Sequence, residues 1–568
     1  MQIPASEHSH HAHPASSLLD GIEIELIRSS LQSICEEMAE ALVRSSHSPN
    51  IKERRDCSCC LYSREGEIAV QAEHIPIHLG VMANALAHIL RDFPARDARP
   101  GDVFLVNDPY HGANHLPDFI VAGPLFVGDE LVGFAASMAH HTDVGGMSPR
   151  SMPAGATEIF HEGLRIPPVK LVDFGVLQSG VERIIRANSR LPEERQADLG
   201  AQIASVVVAQ NRFDELSGKY SAGDLNFAIS QIVELSEIAF RKRVEALPER
   251  LWKGEALADF GDEGVPIRVT VGKRDGRLVV DFTGTGGQTL SPFNSCLSNT
   301  LACVYMAVRI TIAEGIAANA GMYRGIDVVM PEGSILNPRF PCAISAATQV
   351  SYHTFDALMS ALADIVPEKV LAGTGGGGVF SFGGIHPATH RLFAYGEALG
   401  GGSGASSVAD GESGMIPPVA NLHDTPVEVL ETSLPVRIER YELVEGSAGE
   451  GRYRGGFGLR RAFRMLSPVR CSFQISMPAN GPNGLYGGRS GKPTVATISY
   501  ADGQRQTVSR FMEASVPAET LIVIETAGGG GYGKPASRPD NERALDEVLG
   551  YRMKAATERL STVMEERS

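Results

Sequence analysis

The sequence predicts a multi-domain α+β protein with mixed and antiparallel sheets and packed helices. Three observations carry that expectation. The 568 residues exceed what one hydrophobic core serves, so several structural units are expected. Stretches with apolar residues every three or four positions alternate along the chain with short runs of period two. The period-two runs come in neighbouring pairs joined by tight turns, which suits antiparallel hairpins better than a regular βαβ array.

Residues 1–16 place His8, His10, His11 and His13 among Ser, Ala and Pro, and are expected to form a flexible His-rich leader. A region over 17–250 follows. It opens on an amphipathic helix over 24–43, with Ile27, Leu31, Ile34, Met38 and Leu42 on one stripe. Strand-like runs at 68–70 and 103–106 flank a helical stretch at 81–89. Residues 119–127 and 131–138 read as a hairpin turning at Gly128-Asp129. Residues 182–246 look mostly helical, with Leu191-Pro192-Glu193-Glu194 as an entry.

A central α+β region is expected over 251–420. Alternation at 267–271 and 278–282 gives a hairpin, and helices are expected over 299–314, stopped by Gly315, and over 351–365. Glycine runs follow at 373–378 and 400–404. Residues 421–540 look mainly β, and 541–568 look like a charged helical tail.

Composition narrows the function classes. Hydrophobic residues make up 43% and charged residues 21%, with a net charge of −16. An extended nucleic-acid surface needs clustered Lys and Arg, so no nucleic-acid partner is expected. The longest apolar run in a candidate helix, 301–308, is far short of the ~20 residues that cross a bilayer. No basic stretch followed by an apolar core opens the chain, so a soluble cytoplasmic protein is expected. Cys57-Ser58-Cys59-Cys60 satisfies a bare CxxC, but no second pair stands nearby. Buried free thiols are the expected reading of the eight cysteines.

The densest set of metal-capable side chains lies between residues 107 and 162. Asn107-Asp108-Pro109-Tyr110-His111 leads to His115-Leu116-Pro117-Asp118, and the expected hairpin returns the chain at His140-His141-Thr142-Asp143. That return brings His140 back beside His115 and Asp118. Two imidazoles and a carboxylate suit Zn, Mn or Fe, and such an ion polarises a carbonyl and acidifies water. Asp108 or Asp143 offers the acceptor that a ligating imidazole wants on its second nitrogen. His111, Glu158 and Glu162 lie on poorly periodic segments that suit substrate contacts or proton carriers.

The glycine runs do not form a phosphate loop. In Gly487-Gly488-Arg489-Ser490-Gly491-Lys492-Pro493, Tyr486 stands where the first Gly is needed and Pro493 follows the lysine. Gly401-Gly402-Ser403-Gly404-Ala405 misses the nucleophile elbow at Ala405. These glycines are expected to serve tight turns and close backbone packing.

Longer motifs carry a resemblance. Residues 48–56, Ala72-Glu73-His74-Ile75-Pro76-Ile77-His78-Leu79-Gly80, Asn107-Asp108-Pro109-Tyr110, His115-Leu116-Pro117-Asp118, residues 140–146 and residues 162–168 resemble the hydantoinase B family. Residues 421–431, 451–456 and 528–533 continue the likeness, which covers roughly residues 21–550. That family includes N-methylhydantoinases, the C-terminal half of 5-oxoprolinases, a caprolactam hydrolase and subunits of ATP-dependent ketone carboxylases. The resemblance implies a B-type subunit of an ATP-dependent cyclic amidase. A hydantoinase A-like partner would bind ATP and phosphorylate a lactam or hydantoin, within an assembly such as a heterotetramer. It implies the metal ligands Asp56, His115, Asp118 and His140, adding Asp56 to the residues that spacing nominates. His141 and Asp143 are then expected to orient the nucleophile or move protons. A ketone carboxylase subunit and a non-catalytic scaffold for the A-type subunit are the alternatives.

Overall fold

In the computed structural model, which describes residues 19–551 apart from 73, 261–263, 417–418 and 478, the first amphipathic stretch forms helix α1 (Gly21–Ser45). Asp20 caps it by accepting the N–H groups of Ile22 and Glu23, and the Glu23 side chain returns to the Asp20 N–H. All five expected stripe residues are buried. The leader 1–16 and most of the tail 541–568 lie outside the described residues.

The chain continues through a single helical turn α2 (Pro49–Lys52), strands β1 (Cys57–Ser63) and β2 (Ile68–Ala72), helix α3 (His78–Asp92), and strand β3 (Val103–Val106). The expected hairpin follows as β4 (Asp118–Val127) and β5 (Glu130–His140), then β6 (Val169–Asp173) and β7 (Val176–Leu177). These seven strands form one antiparallel sheet in the order β2-β1-β5-β4-β3-β6-β7. Helices α4 (Ser179–Ala187), α5 (Pro192–Ser217) and α6 (Ala222–Glu245) come next, and α5 starts at the expected proline.

This sheet is buried on both faces. Cys57, Cys59 and Leu61 of β1 pack in one hydrophobic cluster with α1 and α5, while Cys60 and Tyr62 belong to another built around the central helices. Successive side chains of a strand point to opposite faces, so a doubly covered strand is apolar throughout. All eight cysteines are buried free thiols, as expected.

The second sheet holds β8 (Trp252–Ala258), β9 (Val265–Arg274), β10 (Arg277–Asp281) and β11 (Ile326–Val329) in the order β11-β10-β9-β8. It is mixed, because β10 and β11 run parallel. Helices α7 (Leu297–Ile310), α8 (Ala320–Arg324) and α9 (Ala347–Leu362) accompany it. Helix α7 ends before the expected stop. Thr311, at φ −112° and ψ −80°, breaks it, and Gly315 serves a later left-handed turn.

The last part carries β12 (Gly376–Ile385), β13 (Leu392–Gly400), helix α10 (Val427–Ser433), β14 (Val436–Leu443), β15 (Leu459–Met465), β16 (Val469–Ile475), β17 (Val495–Ser499), β18 (Arg505–Thr507), β19 (Phe511–Val516), β20 (Leu521–Glu525) and helix α11 (Asp540–Val548). They form two antiparallel sheets, β13-β12-β16-β19 and β14-β15-β20-β17-β18, whose facing side chains share one cluster around Phe380, Phe463 and Phe473. The glycine runs open β12 and close β13 as well as making loops. At Gly402 a Cβ would lie 1.9 Å from the Gly456 carbonyl oxygen, so the two backbones meet only because both lack side chains.

Truncation within the α1 stripe tests this packing. Leu31→Ala is expected to destabilise by about 2–5 kcal/mol in chemical denaturation. Ile22→Ala, on the exposed side of the same helix, is expected to change stability by under ~0.5 kcal/mol.

Candidate metal centre

Three neighbouring strands bring three of the expected ligands to one end of the first sheet. Asp118, the first residue of β4, stands opposite His140, the last of β5. Ala139 pairs with Cys57 of β1, and the His140 N–H donates to the Asp56 carbonyl at 3.0 Å. Asp56, His140 and Asp118 therefore lie side by side on adjacent strand segments. His115 arrives through a tight turn, closed by the Asp118 N–H donating to its carbonyl at 2.9 Å. Just upstream, Gly112 sits at φ 93°, where a Cβ would come within 3.0 Å of the Ala85 Cα. Only glycine lets this loop pass so close over α3.

The side chains converge. His115 Nε2 lies 3.0 Å from Asp118 Oδ2, and His140 Nδ1 lies 2.9 Å from Asp118 Oδ1 and 3.1 Å from His115 Nε2. Among the described residues, His115, Asp118 and His140 form a group whose donor atoms all lie within 4.8 Å of one another, and all three are buried. Atoms ~3 Å apart are spaced as ligands that share one cation at ~2.0–2.2 Å. Asn114 Nδ2 donates to Asp118 Oδ2 at 2.9 Å and fixes the carboxylate. Asp56 stands outside this tight trio, with Oδ1 3.9 Å from His78 Nε2.

The electrostatics suit a cation. Burial, reinforced by Asp118, pushes the Asp56 carboxyl up to about 7. Burial would raise Asp118 too, but His115 and His140 hold it well below the usual carboxylate range. Burial pushes His140 down to about 3, which holds its imidazole neutral. Burial also lowers His115, yet Asp118 more than offsets that and raises it. Burial pushes His78 down to about 4, so it faces Asp56 as a neutral group. The converged set of one carboxylate and two imidazoles, with the Asp56 carboxyl nearby, has donor chemistry that fits a divalent ion such as Zn, Mn or Fe(II).

The other expected residues are placed differently. His141 points toward α5, where Nε2 meets Gln202 Oε1 at 2.7 Å and the ring stacks on Phe119 at 4.3 Å. Asp143 accepts from the N–H groups of Gly145, Arg150 and Arg190 and from the Arg190 guanidinium at 2.9 Å, so both its oxygens are committed. Neither is brought into the trio. Asp108 holds His111 Nδ1 at 2.7 Å and Arg165 Nε at 2.6 Å. Glu158 is 3.6 Å from His161 on a largely exposed segment.

Glu162 is different. It is fully buried, and Oε1 accepts the N–H groups of Ile344 and Ser345 at 2.7 Å each. Oε2 has no partner among the described residues, and burial pushes the carboxyl up to about 7 despite those donors. Sequence reasoning nominates none of Asn114, His78, Arg54 and Arg150, although all lie in or beside the motifs that carry the resemblance. Only their burial sets them apart, and spacing does not reveal it.

Comparison with known proteins places the chain in a family. The family described as Hydantoinase B/oxoprolinase matches residues 20–535. The chain is 34% identical to an uncharacterised protein of Methanocaldococcus jannaschii, covering 94% of this chain and 95% of that one. It is 31% identical to the putative B-type component of a D-/L-hydantoinase from a Pseudomonas species, covering 94% and 93%. A 5-oxoprolinase of Pestalotiopsis fici is 31% identical over 91% of this chain, which spans only 41% of that longer enzyme. Among solved structures, the ATP-dependent caprolactamase of Pseudomonas jessenii superposes with a TM-score of 0.88 at 26% identity, covering 94% and 95%. A nucleotide-free acetone carboxylase shares the fold, with a TM-score of 0.86 at 19% identity over 94% of this chain and 78% of that one.

The proton balance gives a direct test. Asp56 must release its proton before it can face a cation, so calorimetric affinity for Zn²⁺ or Mn²⁺ is expected to fall as pH drops below about 7. Above that pH the Asp56 contribution levels off. His140→Ala is expected to lose the cation, and an affinity independent of pH would contradict the assignment.

Proposed function

The chain belongs to the hydantoinase B/oxoprolinase family, and we propose that it is the metal-binding, hydrolytic subunit of an ATP-dependent cyclic amidase. Its substrate is a lactam or hydantoin ring, activated by phosphorylation on an A-type partner subunit. The convergence of His115, Asp118 and His140 at one sheet end carries this reading. The names of the relatives support it: caprolactamase, hydantoinase and 5-oxoprolinase all denote action on cyclic amides. The 5-oxoprolinase extends well beyond the part this chain matches, which suits a division of ATP chemistry and ring opening between two units.

ATP has a clear physical role. A lactam carbonyl is resonance-stabilised and a poor electrophile. Phosphorylation of its oxygen removes that resonance and creates a leaving group. A cation held by His115, Asp118 and His140, with Asp56 beside them, would supply Lewis acidity toward that centre. The chain's own groups do the rest. Asn114 fixes Asp118. Glu162, held by two backbone donors and without a partner at Oε2 among the described residues, takes the protons of the attacking water in turn and delivers them to the ring nitrogen as the C–N bond breaks. The acyl phosphate this leaves is hydrolysed by a second water to the open-chain carboxylate and inorganic phosphate. His141 and Asp143 act as supports, the first locking the end of β5 and the second shaping the 143–150 loop.

Co-expression with an A-type subunit, followed by ATP-hydrolysis assays over hydantoins, lactams, 5-oxoproline and ketones, tests the reading. ATP-coupled ring opening that disappears in His140→Ala is expected. Turnover of ketones alone, and only with bicarbonate, would overturn it in favour of a carboxylase. Glu162→Gln is expected to lower kcat by roughly 10²–10⁴-fold. The wild-type rate should rise with pH through about 7 as Glu162 ionises, and the variant should lose that rise.

A further inference from the structure

Two arginines are buried on the Asp56 side of the first sheet without carboxylate partners. Arg54 is fully buried. Its Nη1 donates to Asn50 Oδ1 and to the Gly396 carbonyl, both at 3.1 Å, and its Nε donates to the His423 carbonyl at 3.2 Å. Its Nη2 has no partner among the described residues. Arg150 is 3% exposed, and its Nη1 likewise has no partner among the described residues. Among the described residues neither guanidinium is ion-paired to a carboxylate within 4.0 Å. A buried cation left in this state is costly, whereas charge-assisted bonds to an anion offset the cost.

The two arginines meet at Gly396. Arg54 bonds its carbonyl, and a Cβ at 396 would lie 2.2 Å from Arg150 Cδ and 2.6 Å from Ser381 Oγ. Ser381 is the cross-strand partner of Gly396, and its buried hydroxyl is a third group without a hydrogen-bond partner among the described residues. Arg150 and Ser151 sit at φ 67° and 56°, a strained left-handed pair. Asp143 holds that pair by accepting the Arg150 N–H at 3.0 Å. The path to the metal centre is short. Asn50, which Arg54 bonds, also donates through Nδ2 to the His140 carbonyl at 3.1 Å.

We propose that Arg54, Arg150 and Ser381 form an oxyanion subsite, beside the His115–Asp118–His140 cluster, that holds a phosphoryl or carboxylate group of a small molecule. Two planar guanidiniums and a hydroxyl match the several acceptor oxygens of such a group. This rests on the reading of the neighbouring cluster only for its use in turnover, since anion binding itself needs no cation. The phosphoryl group of an activated substrate and a carboxylate of the substrate share this chemistry, and the experiment separates them.

Calorimetric titration of the full chain with inorganic phosphate and, separately, with glutarate reads the subsite directly. Wild type is expected to bind one of the two at millimolar concentration or better, phosphate indicating the first source and glutarate the second. Arg150→Gln is expected to weaken that anion about tenfold or more, the scale of one charge-assisted hydrogen bond, and Arg150→Lys to restore part of it. Ser381→Ala is expected to weaken it several-fold without changing the thermal midpoint, which separates a local effect from misfolding. His140→Ala should leave phosphate or glutarate binding in place even where the cation is lost. Equal binding by wild type and Arg150→Gln overturns the proposal, as does no binding of either anion by wild type. Loss of binding in His140→Ala but not in Arg150→Gln would place the anion on the cation, overturning the subsite while leaving the hydrolytic reading intact.

Discussion

The register of β1, β5 and β4 is the constraint on which the rest of the site depends. It sets Asp56, His140 and Asp118 on adjacent strand segments at one sheet end. A slip of one residue would turn each of these side chains to the opposite face. Several devices resist that slip. Alternate residues of β1 fill two separate cores, so neither face tolerates exchange. Gln202 of α5 donates to the carbonyls of Phe119 and Ser137 while accepting from His141, which clamps both strands of the hairpin near the site. Asn50 holds the His140 carbonyl from the other side. His141 is thus adjacent to His140 in sequence yet serves the strand rather than the cluster.

Charge is arranged unevenly around this point. On one side Asp56 and Asp118 are buried close enough for one to hinder the ionisation of the other. On the other, Arg54 and Arg150 are buried without ion pairs. Arg150 is pushed down to about 10 by burial and by Arg54, against the pull of Asp56. Buried charges of both signs that lack close ion pairs among the described residues, a few residues apart, are expensive in a resting fold. They make sense where a cation and an anion are received together. Glu162 adds a carboxyl poised near neutrality on a third segment.

Much of this is legible in the sequence because it is local. The α1 stripe, the 118–140 hairpin and the proline at the start of α5 follow from periodicity and turn chemistry that short windows contain. The hairpin alone places His140 beside Asp118, and the tight turn into β4 places His115. Asp56 needs the resemblance, because β1 pairs with β5 only after β2, α3, β3 and β4 have intervened, a pairing that no local pattern records. Roles are harder to read than positions. The resemblance leads to the expectation that His141 and Asp143 orient the nucleophile or move protons, and in the structure Gln202 and Arg190 bond their side chains. Arg54 and Arg150 escape notice because a sequence does not tell a buried arginine from a solvated one. The glycine runs are legible as close packing, but their place at the ends of β12 and β13 depends on partners far along the chain.

The most direct test of the account is where a divalent ion sits. Crystals of the full chain grown with Mn²⁺ or Zn²⁺, measured at the metal absorption edge, locate it by anomalous scattering. The account predicts one dominant peak at ligand distance, ~2.0–2.2 Å, from His115 Nε2, the Asp118 carboxylate and His140 Nδ1. A fully loaded protein with its ion elsewhere, or no peak at this sheet end, would contradict it.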